Sequence, residues 1–171
     1  MTGGVARAMM DALLDRYTAY YDVKRCSEGD LVARAEFHSR GEKYLLTRGV
    51  NLWSVEDHEY VFFFEGASLD ADGLESARRL SIEEGMLRIK PSSEHRSSLI
   101  TTVLIYDSID TRCIEDIKSM KHHRDFGFML KGWMDYRVAA LETSSGRTSS
   151  NRAGRDVVRN LEALSRKGGS S

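Results

Sequence analysis

Residues 99–106 read Leu99-Ile100-Thr101-Thr102-Val103-Leu104-Ile105-Tyr106. All eight are apolar or β-branched, with no polar alternation. Such a run predicts a central strand covered on both faces. Asp107-Ser108-Ile109-Asp110 then caps a helix over about 110–121, whose inner face carries Cys113, Ile114, Ile117 and Met120. A long strand is expected from about Phe126 to Leu141, bent or bulged at Gly132. The stretch 99–141 therefore reads strand–helix–strand, a composition suited to a crossover between parallel strands.

Toward the N-terminus, Lys90-Pro91-Ser92-Ser93-Glu94 reads as a loop. A helix over 68–85 precedes it. Ser68 is its expected N-cap, Leu74, Ala77 and Leu80 its apolar stripe, and Gly85 its stop. Between residues 22 and 65 the period changes to two. Leu31, Ala33, Ala35 and Phe37 alternate with Val32, Arg34, Glu36 and His38, which predicts a half-buried strand. Runs Tyr44 to Trp53 and Tyr60 to Phe64 predict two more strands, with Val55 to Glu59 as a polar turn between them. The simplest arrangement is an antiparallel meander. The aromatics of 60–64 point to both faces, so a helix, the rest of the chain or a second subunit has to cover the outer one. The chain opens with a helix whose apolar face is Met10, Leu13, Leu14, Tyr17 and Tyr21.

Toward the C-terminus, Ser144-Ser145-Gly146-Arg147 marks a turn, and a last helix begins near Asn151 or Ala153. Val157, Val158, Leu161 and Leu164 form its inner side. Arg152, Arg155, Arg159 and Arg166 lie opposite. The expectation is one α+β domain over 1–167, a mixed or mostly antiparallel sheet flanked by about four helices, with 168–171 as a flexible tail.

Composition agrees with a folded domain: 171 residues, 41% hydrophobic and 30% charged, enough for a core without disulfides or metal. Two isolated cysteines, Cys26 and Cys113, suit a reducing compartment. No apolar run reaches the ~20 residues of a membrane span, and residues 1–10 lack the apolar core of a signal peptide. A soluble cytoplasmic protein with no membrane partner is expected. Net charge is −1, but residues 143–171 carry six Lys/Arg against Asp156 and Glu162. That net +4 leaves −5 on the rest, and a basic segment of this kind suits an acidic protein or anionic ligand. It holds no aromatic residue to stack a base, which argues against nucleic acid.

The sequence lacks the phosphate-loop, dinucleotide-fold, zincin and nucleophile-elbow motifs. His122 and His123 are adjacent, so on a helix their rings diverge; they suit its C-terminal dipole better than a metal. His58, between Asp57 and Glu59, reads as exposed turn material. No metal ligand set and no cofactor is assigned. The most suggestive polar set is Glu36, His38 and Arg40 on one strand face, which Asp135 and Arg137 would join if their strands were neighbours. Together they offer an anion site, or a metal-dependent hydrolase built on Glu36, His38 and Asp135. A solvated, ion-paired sheet face is the plainer alternative.

Three stretches carry a resemblance: 35–44, 59–63, and Lys131-Gly-Trp-Met-Asp-Tyr-Arg137 followed by Asn151-Arg-Ala-Gly-Arg155. The chain resembles, over most of residues 8–160, a family of uncharacterised prokaryotic proteins with a domain of unknown function. The resemblance implies a free-standing intracellular protein and assigns no activity. It draws attention to Glu36, His38, Trp133, Asp135, Arg137, Asn151 and Arg155. The leading functional expectation is a non-enzymatic interaction module, as a homodimer or with an anionic partner, through Glu36, His38 and Arg40 and through Arg152, Arg155 and Arg159. The rival is the hydrolase.

Overall fold

A computed structural model describes residues 4–40, 56–93 and 95–168, with the backbone alone for Ser39, Arg40 and Glu56. Among the described residues are four α-helices, α1 (Gly4–Tyr17), α2 (Ala71–Arg88), α3 (Thr111–Ser119) and α4 (Arg155–Gly168). Seven strands among the described residues form one mixed sheet: β1 (Asp22–Glu28), β2 (Leu31–Arg40), β3 (Glu56–Leu69), β4 (His95–Ile109), β5 (His123–Asp125), β6 (Trp133–Glu142) and β7 (Thr148–Ser150). The order is β1-β2-β3-β4-β6-β5, with β7 also on β6. The fold is the expected single α+β domain.

Leu99–Tyr106 is the heart of β4, flanked on both sides by parallel partners, β3 and β6. Its residues are almost all buried because helices cover both faces. On one side α2 and α3 pack Leu74, Ala77, Cys113, Ile114 and Ile117 against Tyr60, Phe62, Ile100, Leu104 and Tyr136. On the other, α1 and α4 pack Met10, Leu13, Leu14, Val157, Leu161 and Leu164 against Ala33, Ala35, Val61, Phe63 and Val103. The crossover from β4 through α3 to β6 is present, and a second one, from β3 through α2 to β4, was not foreseen. Both crossover helices lie on one face, as a single connection hand requires when strands advance in one direction. The two sides of the Tyr60–Phe64 run are thus covered within the chain.

Several boundaries differ from expectation. Glu56–Glu59 is strand, not turn. The Asp57 and Glu59 side chains are absorbed by neighbours: Arg96 and Ser97 donate to Asp57, and Tyr21 and Thr101 donate to Glu59. β3 continues through Ser68, so α2 begins later, with the Asp70 carboxylate accepting from Gly73 N. Gly85 does not stop α2. It lets the helix lie close to Ile100, whose Cδ1 would be 2.6 Å from an added Cβ. β1 was not foreseen, being mostly charged and exposed. Residues 126–132 form a loop, and β6 starts only at Trp133. The expected Tyr44–Trp53 strand lies outside the described residues, as do 169–171.

Asn151 is buried and uses its whole amide. Its Oδ1 accepts from Val138 N at 3.1 Å and Gly154 N at 2.9 Å. Its Nδ2 donates to Met120 O at 3.1 Å and Tyr136 O at 2.9 Å. It thereby caps the 3-10 turn Arg152–Gly154 and holds the chain against β6 between β5 and β7.

Candidate functional site

Cross-strand register decides which candidate residues share a face. Glu36, Tyr60, Ile100 and Tyr136 form one row across β2, β3, β4 and β6. The last three belong to the α2–α3 core, so Glu36 and His38 project to that side. Phe37, Glu59, Leu99 and Asp135 form the adjacent row and project to the α1–α4 side, as does Arg137. Glu36 and Asp135 therefore lie on opposite faces, with β3 and β4 between their strands, roughly 14 Å of sheet. The Glu36/His38/Asp135 hydrolase cluster is not assembled. Among the described residues, no group of three or more His, Cys, Asp or Glu is arranged to hold a metal ion.

A seam of charge runs past Glu36 instead. Arg34 holds Glu84 through hydrogen bonds of 2.8 and 2.7 Å and Glu28 through bonds of 2.8 and 2.9 Å. Arg88 reaches Glu84 at 3.6 Å and donates to Glu36. Glu36 lies 3.3 Å from His38 Nε2, and His38 Nδ1 lies 2.7 Å from His58 Nδ1. The His58 ring stacks on His95 at 5.9 Å. His95 is buried, with Nε2 2.8 Å from Ser98 Oγ and Nδ1 2.6 Å from the Lys131 carbonyl. Two ring nitrogens at hydrogen-bond distance need a proton between them, so His38 and His58 act as a pair. A carboxylate behind an imidazole is the geometry that orients a base. Here, though, Arg88 also holds that carboxylate. Glu84–Arg88 was readable as a helical i, i+4 pair. The histidine row was not, because it joins three strands through tertiary register.

On the opposite face Glu59 and Arg137 form a nearly buried ion pair, their side chains 10% and 14% exposed. Tyr21 Oη and Thr101 Oγ1 also donate to Glu59, and Arg137 Nε donates to Thr101 at 3.0 Å. Burial, then the Glu59 charge, pushes the Tyr21 phenol above its ordinary range. Arg137 is thus a structural ion, committed within the fold. The Arg40 side chain lies outside the described residues. Both thiols are pushed up by burial, which disfavours thiolate chemistry at Cys26 and Cys113. Under α1 lies a cleft of about 410 Å³ whose Arg7 and Arg25 are matched by Asp11 and Glu65.

Asp135 is engaged by His123, whose Nδ1 lies 2.6 Å from it while Nε2 lies 2.9 Å from Asp125. Those bonds, Asp135 first, raise the His123 pKa above 6.5. Burial, then Arg78 and Arg124, lower that of His122. The contribution of His123 is complete below the unfolded pKa near 6.5 and fades as pH rises through the folded value. Imidazole NMR titration should place the two midpoints on opposite sides of 6.5, with Asp135→Asn drawing the His123 midpoint down. Midpoints in the reverse order would refute this geometry.

Arg152, Arg155 and Arg159 are all exposed. Arg159 pairs with Asp156 at 3.3 Å. Among the described residues, no carboxylate pairs with Arg152 or Arg155. No described helix is long and apolar enough to cross a membrane. A family model described as a domain of unknown function (DUF8052) matches residues 6–163. No curated protein and no solved structure matches the chain.

Proposed function

The chain belongs to the DUF8052 family, and we propose that within it this domain is a non-enzymatic interaction module that engages an anionic partner through Arg152 and Arg155. The observation that carries this reading is the clustering, one turn apart, of exposed guanidinium groups that meet no carboxylate among the described residues. Arg34, Arg88, Arg96, Arg137 and Arg147 each meet a carboxylate of the same chain. Among the described residues Arg152, in the 3-10 turn, and Arg155, at the start of α4, do not. Arg16, Arg79, Arg112 and Arg124 also meet none there, but each lacks a second such arginine one turn along. Two exposed guanidinium groups one turn apart offer planar, two-pronged donors to carboxylates or phosphates. Arg159 extends the face, partly screened by Asp156.

The test is binding of labelled polyglutamate. Arg152→Glu/Arg155→Glu should weaken it about tenfold, since each exposed contact contributes up to ~1 kcal/mol. Equal affinity of the variant and the parent chain would end the proposal. A homodimer no longer draws support from β3, whose two faces are covered by the chain's own helices. Light scattering would reveal one directly.

A further inference from the structure

We propose that the loop tip Phe128-Met129-Leu130 docks the domain on an anionic lipid surface. The three residues are consecutive, apolar and 97%, 61% and 79% exposed. Scattered exposed apolar side chains are ordinary, but three together on one protrusion mark an interaction site. The tip is a built structure. Phe126 N donates to Gly132 O at 2.9 Å, Lys131 N to Phe126 O at 3.1 Å, and Leu130 N to Gly127 O at 3.1 Å. The Phe126 ring packs edge-on against His95 at 5.9 Å, fixing the base of the loop. Phe128 and Met129 have φ of 54° and 69°, a left-handed conformation that bulky residues rarely adopt. The loop accepts that strain while holding its apolar side chains outward, and strain held in place is characteristic of functional segments.

Charge identifies the occupant. Arg124 and Lys131 flank the two ends of the loop against Asp125, a net +1 over residues 124–131. The Arg124 guanidinium lies 5.9 Å above the Phe126 ring, and the Lys131 stem folds over Gly127. Cations at the neck and apolar groups at the crown match headgroups above acyl chains. A second copy of the chain offers a poorer seat. The hollow formed by Leu13, Tyr17, Tyr20 and Tyr21 is rimmed by Arg16, which repels the basic neck.

The inference shares with the proposed function the view of an interaction module, but it uses a different surface. The test is co-sedimentation of the whole chain with vesicles of phosphatidylcholine alone or with phosphatidylserine added. Binding should require phosphatidylserine. Phe128→Ser/Leu130→Ser should weaken it about tenfold or more, as loss of buried apolar area dictates. Lys131→Glu should weaken it about fivefold or more, the worth of a charge near such a surface. All three positions are exposed, so folding should survive, and the serine variant should still bind polyglutamate. That last comparison separates failure of this inference from failure of the arginine face. Absence of binding to anionic vesicles, or binding that the serine variant leaves unchanged, would overturn the proposal. So would a dimer that the serine variant dissociates, because the tip would then serve a second copy.

Discussion

Arg137→Met should destabilise the fold by about 3 kcal/mol or more, because it strands the Glu59 carboxylate in the sheet without its counter-ion. The pair sits between β3 and β6 on the α1–α4 face, with Tyr21 and Thr101 completing the acceptor shell of Glu59. The side chain lost is long and partly apolar, so methionine replaces much of its packing and isolates the charge effect. Chemical unfolding followed by circular dichroism measures the loss as a lower midpoint at unchanged slope. The double variant Glu59→Gln/Arg137→Met removes both charges while leaving an amide oxygen for Tyr21 and Thr101. It should recover about half or more of the loss, giving a large coupling between the two sites. A loss below about 1 kcal/mol for the single variant would place the pair in the class of exposed salt bridges.

Gly132→Ala should cost at least about 3 kcal/mol by combining steric overlap with a left-handed backbone. Its φ is +85°, and an added Cβ would meet His95 Nδ1 at 2.4 Å, the Arg96 carbonyl at 2.5 Å and the His95 carbonyl at 2.7 Å. Two of these are main-chain atoms of β4, which cannot move aside without breaking the sheet. Gly29 supplies the control. It shares the left-handed backbone, with φ +62°, but an added Cβ there meets nothing within 4 Å. Gly29→Ala should therefore cost only about 1 kcal/mol. If the two variants unfold at the same midpoint, the close approach at Gly132 is not what holds the loop.

Legibility followed how local the deciding interaction was. Leu99–Tyr106 announced itself because burial on both faces removes polar residues from the strand. The inner faces of α1, α3 and α4 were readable for the related reason that a helix keeps one stripe dry. Glu36 and His38 were readable as companions because a strand repeats every two residues. Asp135 was not separable from them by such reasoning, since its face depends on how many strands stand between. The stretch Glu56–Glu59 looked like a turn because the partners of Asp57 and Glu59, namely Tyr21, Arg96 and Arg137, come from distant segments. Residues 126–132 looked like strand because their aromatic content suggests one, whereas the left-handed backbone at Gly127, Phe128 and Met129 forbids it. That misreading also hid the apolar tip.

The amide of Asn151 has a consequence for how this protein meets others. β6 would be an outer strand with open main-chain groups, but β5 takes one stretch, β7 another, and Asn151 answers the backbone between them. At the far side β1 carries Asp22, Lys24, Arg25 and Glu28, and its pairing shifts between Arg25 and Glu28. Charge and irregularity blunt that margin as well. Recruitment by donating a strand, and fibril growth by stacking sheets end to end, are both disfavoured. A partner of the kind proposed would then have to read side chains, so its selectivity should change with single surface substitutions.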